Sequence, residues 1–212
     1  MKIRWYGHAC FLITSDGGTR VLTDPYDETV GYPVPSVEAD FVTVSHDHFD
    51  HSATGWVKGR PRVVKGPGVH QLGEVSAKGI QTFHDDAGGS KRGLNTVFVF
   101  NIDGMAVCHL GDLGQVLTDE QVREIGGVDV LLVPVGGTYT IDAAGAATVV
   151  DLLNPRIVIP MHFKTDALSF PLETVEPFLK RVGGGTRVGS HTLEVRAQDL
   201  TGPRKVCVLE YR

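Results

Sequence analysis

The sequence predicts a mixed α/β fold in which sheets pack on each other and helices lie outside. Short apolar runs separated by Gly, Pro and Asp fill the first half of the chain, as strands joined by tight turns require. In the second half, helical stretches sit between apolar strands, one of them almost unbroken, as expected of strands covered on both faces. Several strands also run directly into a histidine or an aspartate, so polar chemistry gathers at strand ends.

Taken in order, strands are expected at 3–6 and 10–14, and Asp16-Gly17-Gly18 turns the chain into a third at 20–23. Asp24-Pro25-Tyr26 ends that strand, and 31–35 has the Pro/Gly composition of a loop. Phe41-Val42-Thr43-Val44 reads as a short buried strand feeding into Ser45-His46-Asp47-His48-Phe49-Asp50-His51. Beyond it, 62–65 is a strand stopped by Gly66-Pro67-Gly68, 69–76 is expected as a helix, and the strand 79–83 delivers His84. A polar, Gly-rich loop at 85–93 precedes strands at 94–102 and 105–110, which are joined at Asp103-Gly104; the second runs into Gly111-Asp112. Thr118-Asp119-Glu120-Gln121 opens a helix whose early acidic residues suit its dipole, and Gly126-Gly127 closes it. A strand at 128–135 follows, then a helix from Asp142 to a stop at Asn154-Pro155. The strand 157–160 ends in Met161-His162, 171–182 is the last expected helix, and 192–195 and 205–211 are late strands.

The bulk numbers narrow the function. A chain of 212 residues buries a substantial core, and the whole of 1–212 reads as one domain. Net charge is −5 with no Lys/Arg block, which argues against affinity built on phosphate neutralisation. Cys10, Cys108 and Cys207 are widely spaced in apolar runs and read as free buried thiols of a reducing compartment. The opening residues lack the apolar core of a signal peptide, and no run approaches a membrane span, so a cytoplasmic protein is expected.

Positions 46–51 hold three histidines and two aspartates, a density of nitrogen and oxygen ligands that suits a borderline metal such as zinc. His84, Asp112 and His162 arrive from later strands in the same manner.

These residues carry a resemblance. His46-Asp47-His48-Phe49-Asp50-His51 is similar to the HxHxDH motif of the metallo-β-lactamase superfamily, and His84, Gly111-Asp112 and Met161-His162 follow in its order. Trp5-Tyr6-Gly7-His8-Ala9-Cys10, Thr23-Asp24-Pro25 and the run from Val135 through Gly136-Gly137-Thr138-Tyr139 to Asp142 resemble a compact branch of that superfamily. The branch consists of zinc-dependent hydrolases related to the ascorbate-6-phosphate lactonases.

The resemblance implies a four-layer α/β/β/α sandwich, two mixed sheets face to face with helices outside and the site at one edge. It implies two divalent metal ions, zinc first and manganese or iron as alternatives. His46, His48 and His84 would bind one ion, Asp50, His51 and His162 the other, and Asp112 would bridge them. A hydroxide shared between the ions would attack a small ester, lactone, amide or phosphoester. Asp50 and His8 are the expected catalytic residues, His8 as proton donor or substrate contact if it is not simply structural.

His109 competes with His84 as third ligand of the first ion; His84 is preferred because it ends its own strand, 28 residues before Asp112. His109 then becomes an orienting neighbour. Asp24 either orients a ligand histidine or caps a turn, and Tyr139 and Lys164 are candidate substrate contacts. His70 and His191 are expected at the surface, and Asp47 and Phe49 are expected to point away from the metals. A small-molecule substrate is the expected partner, neither nucleic acid nor membrane is expected, and self-association stays open. The alternatives are a nuclease or phosphodiesterase of the same superfamily, or a metal-binding member that does not hydrolyse.

Overall fold

Alternating burial sets the strands, and the strands sort into two sheets. The computed structural model describes residues 1–211. In chain order the strands are β1 (Lys2–Gly7), β2 (Cys10–Thr14), β3 (Arg20–Thr23), β4 (Phe41–Val44), β5 (Arg62–Lys65), β6 (Gly68–Leu72) and β7 (Val75–Phe83). There follow β8 (Leu94–Ile102), β9 (Met105–His109), β10 (Val130–Pro134), β11 (Ile157–Met161), β12 (Thr186–Arg187), β13 (Thr192–Glu194) and β14 (Lys205–Val208). One sheet has the order β13-β1-β2-β3-β4-β5, and the other β12-β14-β11-β10-β9-β8-β7-β6. Both mix parallel and antiparallel pairs: β3 runs parallel to β4, and β9, β10 and β11 run parallel to one another.

The sheets face each other. Ile3, Trp5, Phe11 and Ile13 of the first share one apolar cluster with Ile80, Phe98, Val107 and Leu132 of the second. Strands β10 and β11 are buried along their whole length, which explains their unbroken apolar sequence. Helices α1 (Asp119–Ile125), α2 (Ala143–Leu153) and α3 (Glu176–Arg181) complete the α/β sandwich. Thr118 caps α1 in a reciprocal capping box with Gln121, and the Asp142 carboxylate accepts the N–H groups of Ala144 and Gly145 to open α2. On the outer face of the first sheet the cover consists of loops and single 3₁₀ turns at Glu28–Val30 and Thr54–Trp56, which pack Val30 and Trp56 against Leu22, Val42 and Val44. No described helix is long and apolar enough to cross a membrane.

Two expected helices are corrected. Residues 69–76 form a hairpin instead: β6 pairs antiparallel with β7, Leu72 opposite Val75, across a turn that Gly73 makes at φ +64°. Pairing satisfies this segment's backbone on a strand that also lengthens β7 backwards from 79 to 75, and that tertiary gain overrides local helix propensity. The helix expected over 171–182 begins only at Glu176. Upstream, the Glu173 N–H donates to the Gly136 carbonyl (2.8 Å), the Glu173 carbonyl accepts from Lys164 N–H (2.8 Å), and the Pro171 carbonyl accepts from the Thr138 hydroxyl (3.0 Å). Backbone groups that a helix would use internally are committed to neighbouring chain.

Candidate metal centre

The parallel sense of the key strands brings their C-terminal ends to one edge. From the first sheet, β1 delivers His8, β3 delivers Asp24, and β4 delivers the segment from Ser45 to His51; from the second, β7 delivers His84, β9 leads to Asp112, and β11 delivers His162. Three of these residues hold the left-handed backbone that side chains usually avoid: His8 at φ 51°, Asp24 at φ 40° and His162 at φ 50°. Such local strain persists where surrounding structure over-determines it, and it concentrates at functional sites. Gly111 is obligatory at the same edge: a Cβ there would lie 2.4 Å from Asn95 Oδ1 and 2.6 Å from Ser45 Cβ. Asn95 Oδ1 instead accepts the Asp112 N–H at 3.0 Å and fixes where that carboxylate begins.

Asp112 stands at the centre. Its Oδ1 lies 3.2 Å from His51 Nε2, and its Oδ2 lies 3.3 Å from His162 Nε2, 3.5 Å from His84 Nε2 and 4.0 Å from His46 Nε2. On one side His46, His48 and His84 bring ligand atoms within 4.8 Å of one another; on the other, His8, Asp50, His51 and His162 do the same. His46 Nε2 is 3.0 Å from His48 Nδ1, and His8 Nε2 is 3.1 Å from Asp50 Oδ2.

A run of hydrogen bonds fixes tautomers behind the cluster. Asp24 accepts from Ser45 N–H (2.8 Å) and Ser45 O–H (2.6 Å), and its Oδ2 also takes His51 Nδ1–H at 2.8 Å. Since the Ser45 hydroxyl donates to Asp24, its oxygen is the acceptor for His46 Nδ1–H at 3.0 Å. Neutral His46 therefore presents a bare Nε2 lone pair to the cluster, and His51, with Nδ1–H held by Asp24, presents Nε2, the nitrogen that a metal would take on loss of its proton. His51 Nε2, His162 Nδ1 and Nε2, His84 Nδ1 and Asp112 Oδ1 are buried without hydrogen-bond partners, even where the distances are short. Buried polar atoms left unpaired cost roughly 1–3 kcal/mol each, so His51 Nε2 and His162 Nε2 gathered within 3.3 Å of the Asp112 carboxylate mark a place for a cation. The mixed imidazole and carboxylate donors fit divalent zinc or a similar ion.

The electrostatics divide the histidines. Burial pulls His8 down to about 4, reinforced by His162 and opposed by the Asp50 bond, and burial with His51 takes His46 down to about 3. These rings are neutral at pH 7, the form that ligates. Burial alone would raise Asp112, but His162 and His51 outweigh it and hold the carboxyl well below its usual range. His51 goes the other way: burial lowers it, yet Asp112, Asp50 and Asp24 together raise it well above its ordinary value.

The structure brings His8, His46, His48, Asp50, His51, His84, Asp112 and His162 together and places Asp24 behind them. His109 lies outside these groups: its Nε2 meets the Ala9 carbonyl at 2.9 Å and its Nδ1 takes the Gly111 N–H at 3.2 Å, so both ring nitrogens are engaged. Lys164 is also turned away, donating to the carbonyls of Leu168 and Phe170 (3.0 Å to the latter) and lining a different surface hollow. Those carbonyls hold its ammonium apart from the cavity over the cluster. Tyr139 does line the cavity that opens onto the cluster, about 360 Å³ in volume, with Phe49, Lys91, Arg92 and Phe170. Asp47 points out to Lys65, whereas Phe49 turns to the cavity mouth. Phe170, Lys91 and Arg92 were missed in the sequence; the basic pair inside the otherwise acidic and Gly-rich loop 85–93 was the available signal.

The chain is similar to known proteins along most of its length. The family profile for the Beta-lactamase superfamily domain matches residues 2–162. A UPF0173 metal-dependent hydrolase of Pyrobaculum islandicum is 32% identical, over 89% of this chain and 94% of its own length. One from Archaeoglobus fulgidus is 29% identical, over 84% of this chain and 87% of its own. A crystal structure from Thermotoga maritima, described as a candidate Zn-dependent hydrolase of the metallo-beta-lactamase superfamily, superposes with a TM-score of 0.83 at 48% identity, covering 98% of this chain and 97% of that one.

Proposed function

The chain belongs to the β-lactamase superfamily and to its UPF0173 metal-dependent hydrolases, and from that premise we propose that it is a dinuclear hydrolase, zinc-dependent first, acting on a small ester, lactone, amide or phosphoester. The observation that carries the reading is the pair of ligand groups on either side of one buried carboxylate, with His51 Nε2, His162 Nε2 and Asp112 Oδ1 left without hydrogen-bond partners. His46, His48 and His84 would hold one ion; Asp50, His51 and His162 would hold the other; Asp112 faces both. When bound, such ions supply Lewis acidity toward a carbonyl or phosphoryl oxygen and a water acidified to near neutrality. The protein's own part is placement. Asp24 and Ser45 orient His51 and His46, and His8 Nε2–H donates to Asp50 and keeps that carboxylate charged and aimed. Phe49, Tyr139 and Phe170 confine a substrate over the cluster.

Protein purified without added metal is expected to hold about two zinc or manganese ions per chain, by elemental analysis, and to hydrolyse small lactones or esters. Iron with a visible absorbance band would overturn the hydrolase. Brisk cleavage of bis-p-nitrophenyl phosphate and single-stranded RNA, with lactones and esters inert, would replace it by a nuclease.

A further inference from the structure

Loop 85–93 is built from the inside. The Asp85 carboxylate accepts four backbone N–H groups, those of Ala87, Gly89, Lys91 and Arg92, at 2.7–2.9 Å. That arrangement sets down Lys91 and Arg92 on the wall of the cavity that His84 and Tyr139 also line. The two cations differ. Lys91 is spent on Asp86, at 2.7 Å. The Arg92 guanidinium has no ion pair among the described residues and lies over the Tyr139 ring, 5.4 Å from its centroid. From there an aromatic wall continues: Tyr139 meets Phe170 edge-on at 6.1 Å, and Phe170 meets Phe49 edge-on at 6.2 Å. Phe49 is 52% exposed, a large apolar surface left at the rim of a polar site.

An unpaired guanidinium held over an aromatic ring, beside an apolar wall leading to the ligand cluster, is a recognition surface for an oxyanion on an apolar body. We propose that the substrates carry an oxyanionic group, a carboxylate or a phosphate, which Arg92 binds at the rim, while Phe49, Phe170 and Tyr139 hold the body that leads to the scissile bond. This rests on the hydrolase reading above. Asp85 is a positioning residue: it touches no substrate and acts through the backbone that carries Arg92.

The test uses the zinc-loaded full chain and two variants, Arg92→Ala and Arg92→Lys. Turnover is compared on a matched ester pair, neutral 4-nitrophenyl butyrate and anionic mono-4-nitrophenyl succinate. Binding of benzoate, phenylphosphonate and benzyl alcohol is followed by calorimetry. Arg92→Ala is expected to lower the anionic-to-neutral ratio of kcat/KM about tenfold, the scale of one charge-assisted hydrogen-bonding group at a half-open site. Benzoate and phenylphosphonate should weaken by a similar factor relative to benzyl alcohol, and added salt should erode the wild-type preference. Arg92→Lys separates the two oxyanions: a point charge restores phosphonate binding better than the forked, planar match to a carboxylate. An unchanged ratio together with unchanged anion binding overturns the assignment, even if both esters are hydrolysed. If neither ester turns over but Arg92-dependent anion binding persists, the hydrolase reading falls and the anion site stands.

Discussion

The two halves of the ligand cluster are made differently. His8, Asp50, His51 and His162 are all buried, and each is braced by backbone or carboxylate. Asp24 grips His51, His8 meets Asp50, and the His8 carbonyl takes the His162 N–H at 3.2 Å, with left-handed backbone at both His8 and His162. His46, His48 and His84 form the opposite case: His48 is exposed, His46 is partly so, and His84 Nδ1 has no partner. One half is wholly buried and hydrogen-bonded on several sides, while in the other His48 stands exposed beside the cavity. A rigid half suits holding an ion, and an open half suits exchanging substrate and product. The contrast is not absolute, because Asp24 reaches both: directly to His51, and through the Ser45 hydroxyl to His46.

Removing what the halves share should have the largest effect. Asp112→Ala takes away the carboxylate within 4.0 Å of His46, His51, His84 and His162. Activity should fall roughly 10³-fold or more, beyond the 10–100-fold usual for an orienting neighbour, and metal content should drop with it. Cys108→Ala, deep in the sheet core, should leave metal content unchanged. Full metal and full rate in Asp112→Ala would show that the halves do not share an ion-bridging group.

Asp24→Asn tests the bracing itself. An amide can still accept from Ser45 but cannot balance charge at His51, so metal affinity should fall about 10–100-fold while the fold is kept. If the buried half is the better organised because of Asp24, the ion it holds should be the one that weakens. Sequential titration with a chelator, read as ions retained per chain, would reveal it. Equal weakening of both ions would mean that the path through Ser45 matters as much as the direct bond to His51.

Much of this was legible in the chain. The strand ahead of His46, the hairpins, the α1 and α2 caps, and the ligands arriving after β4, β7 and β11 all follow from local apolar patterning that tertiary packing does not contradict. Segment 69–76 was illegible because its fate depends on β7, a partner whose extent local sequence does not set. Segment 171–175 was likewise decided by its bonds to Gly136, Thr138 and Lys164. The candidate site divides in the same way. Candidate ligands announce themselves by residue type, whereas Arg92 and Phe170 look like any surface basic or apolar residue until the fold sets them around one cavity. Lys164, equally plausible by sequence, turned away because the loop after it supplied carbonyls.

The smallest effect lies in the loop that serves the open half. Burial alone would raise the Asp85 carboxyl, but the N–H groups of Arg92, Ala87, Lys91 and Gly89 outweigh it and hold the pKa down at about 2, against an ordinary 3.8. A carboxylate depressed in the folded state contributes its full stabilisation above its unfolded pKa and loses it as pH falls through the folded value. The loop should therefore keep its order above about pH 4 and surrender it toward pH 2. Amide exchange at Gly89, Lys91 and Arg92, corrected for intrinsic rates, should show several-fold loss of protection across that window in the wild type. Asp85→Asn should show weak protection throughout and no acid transition of its own, with exchange in β10 and β11 the same in both proteins. A wild-type loop whose protection does not change between pH 4 and 2 would mean that packing against Tyr139, rather than the Asp85 carboxylate, holds Arg92 in place.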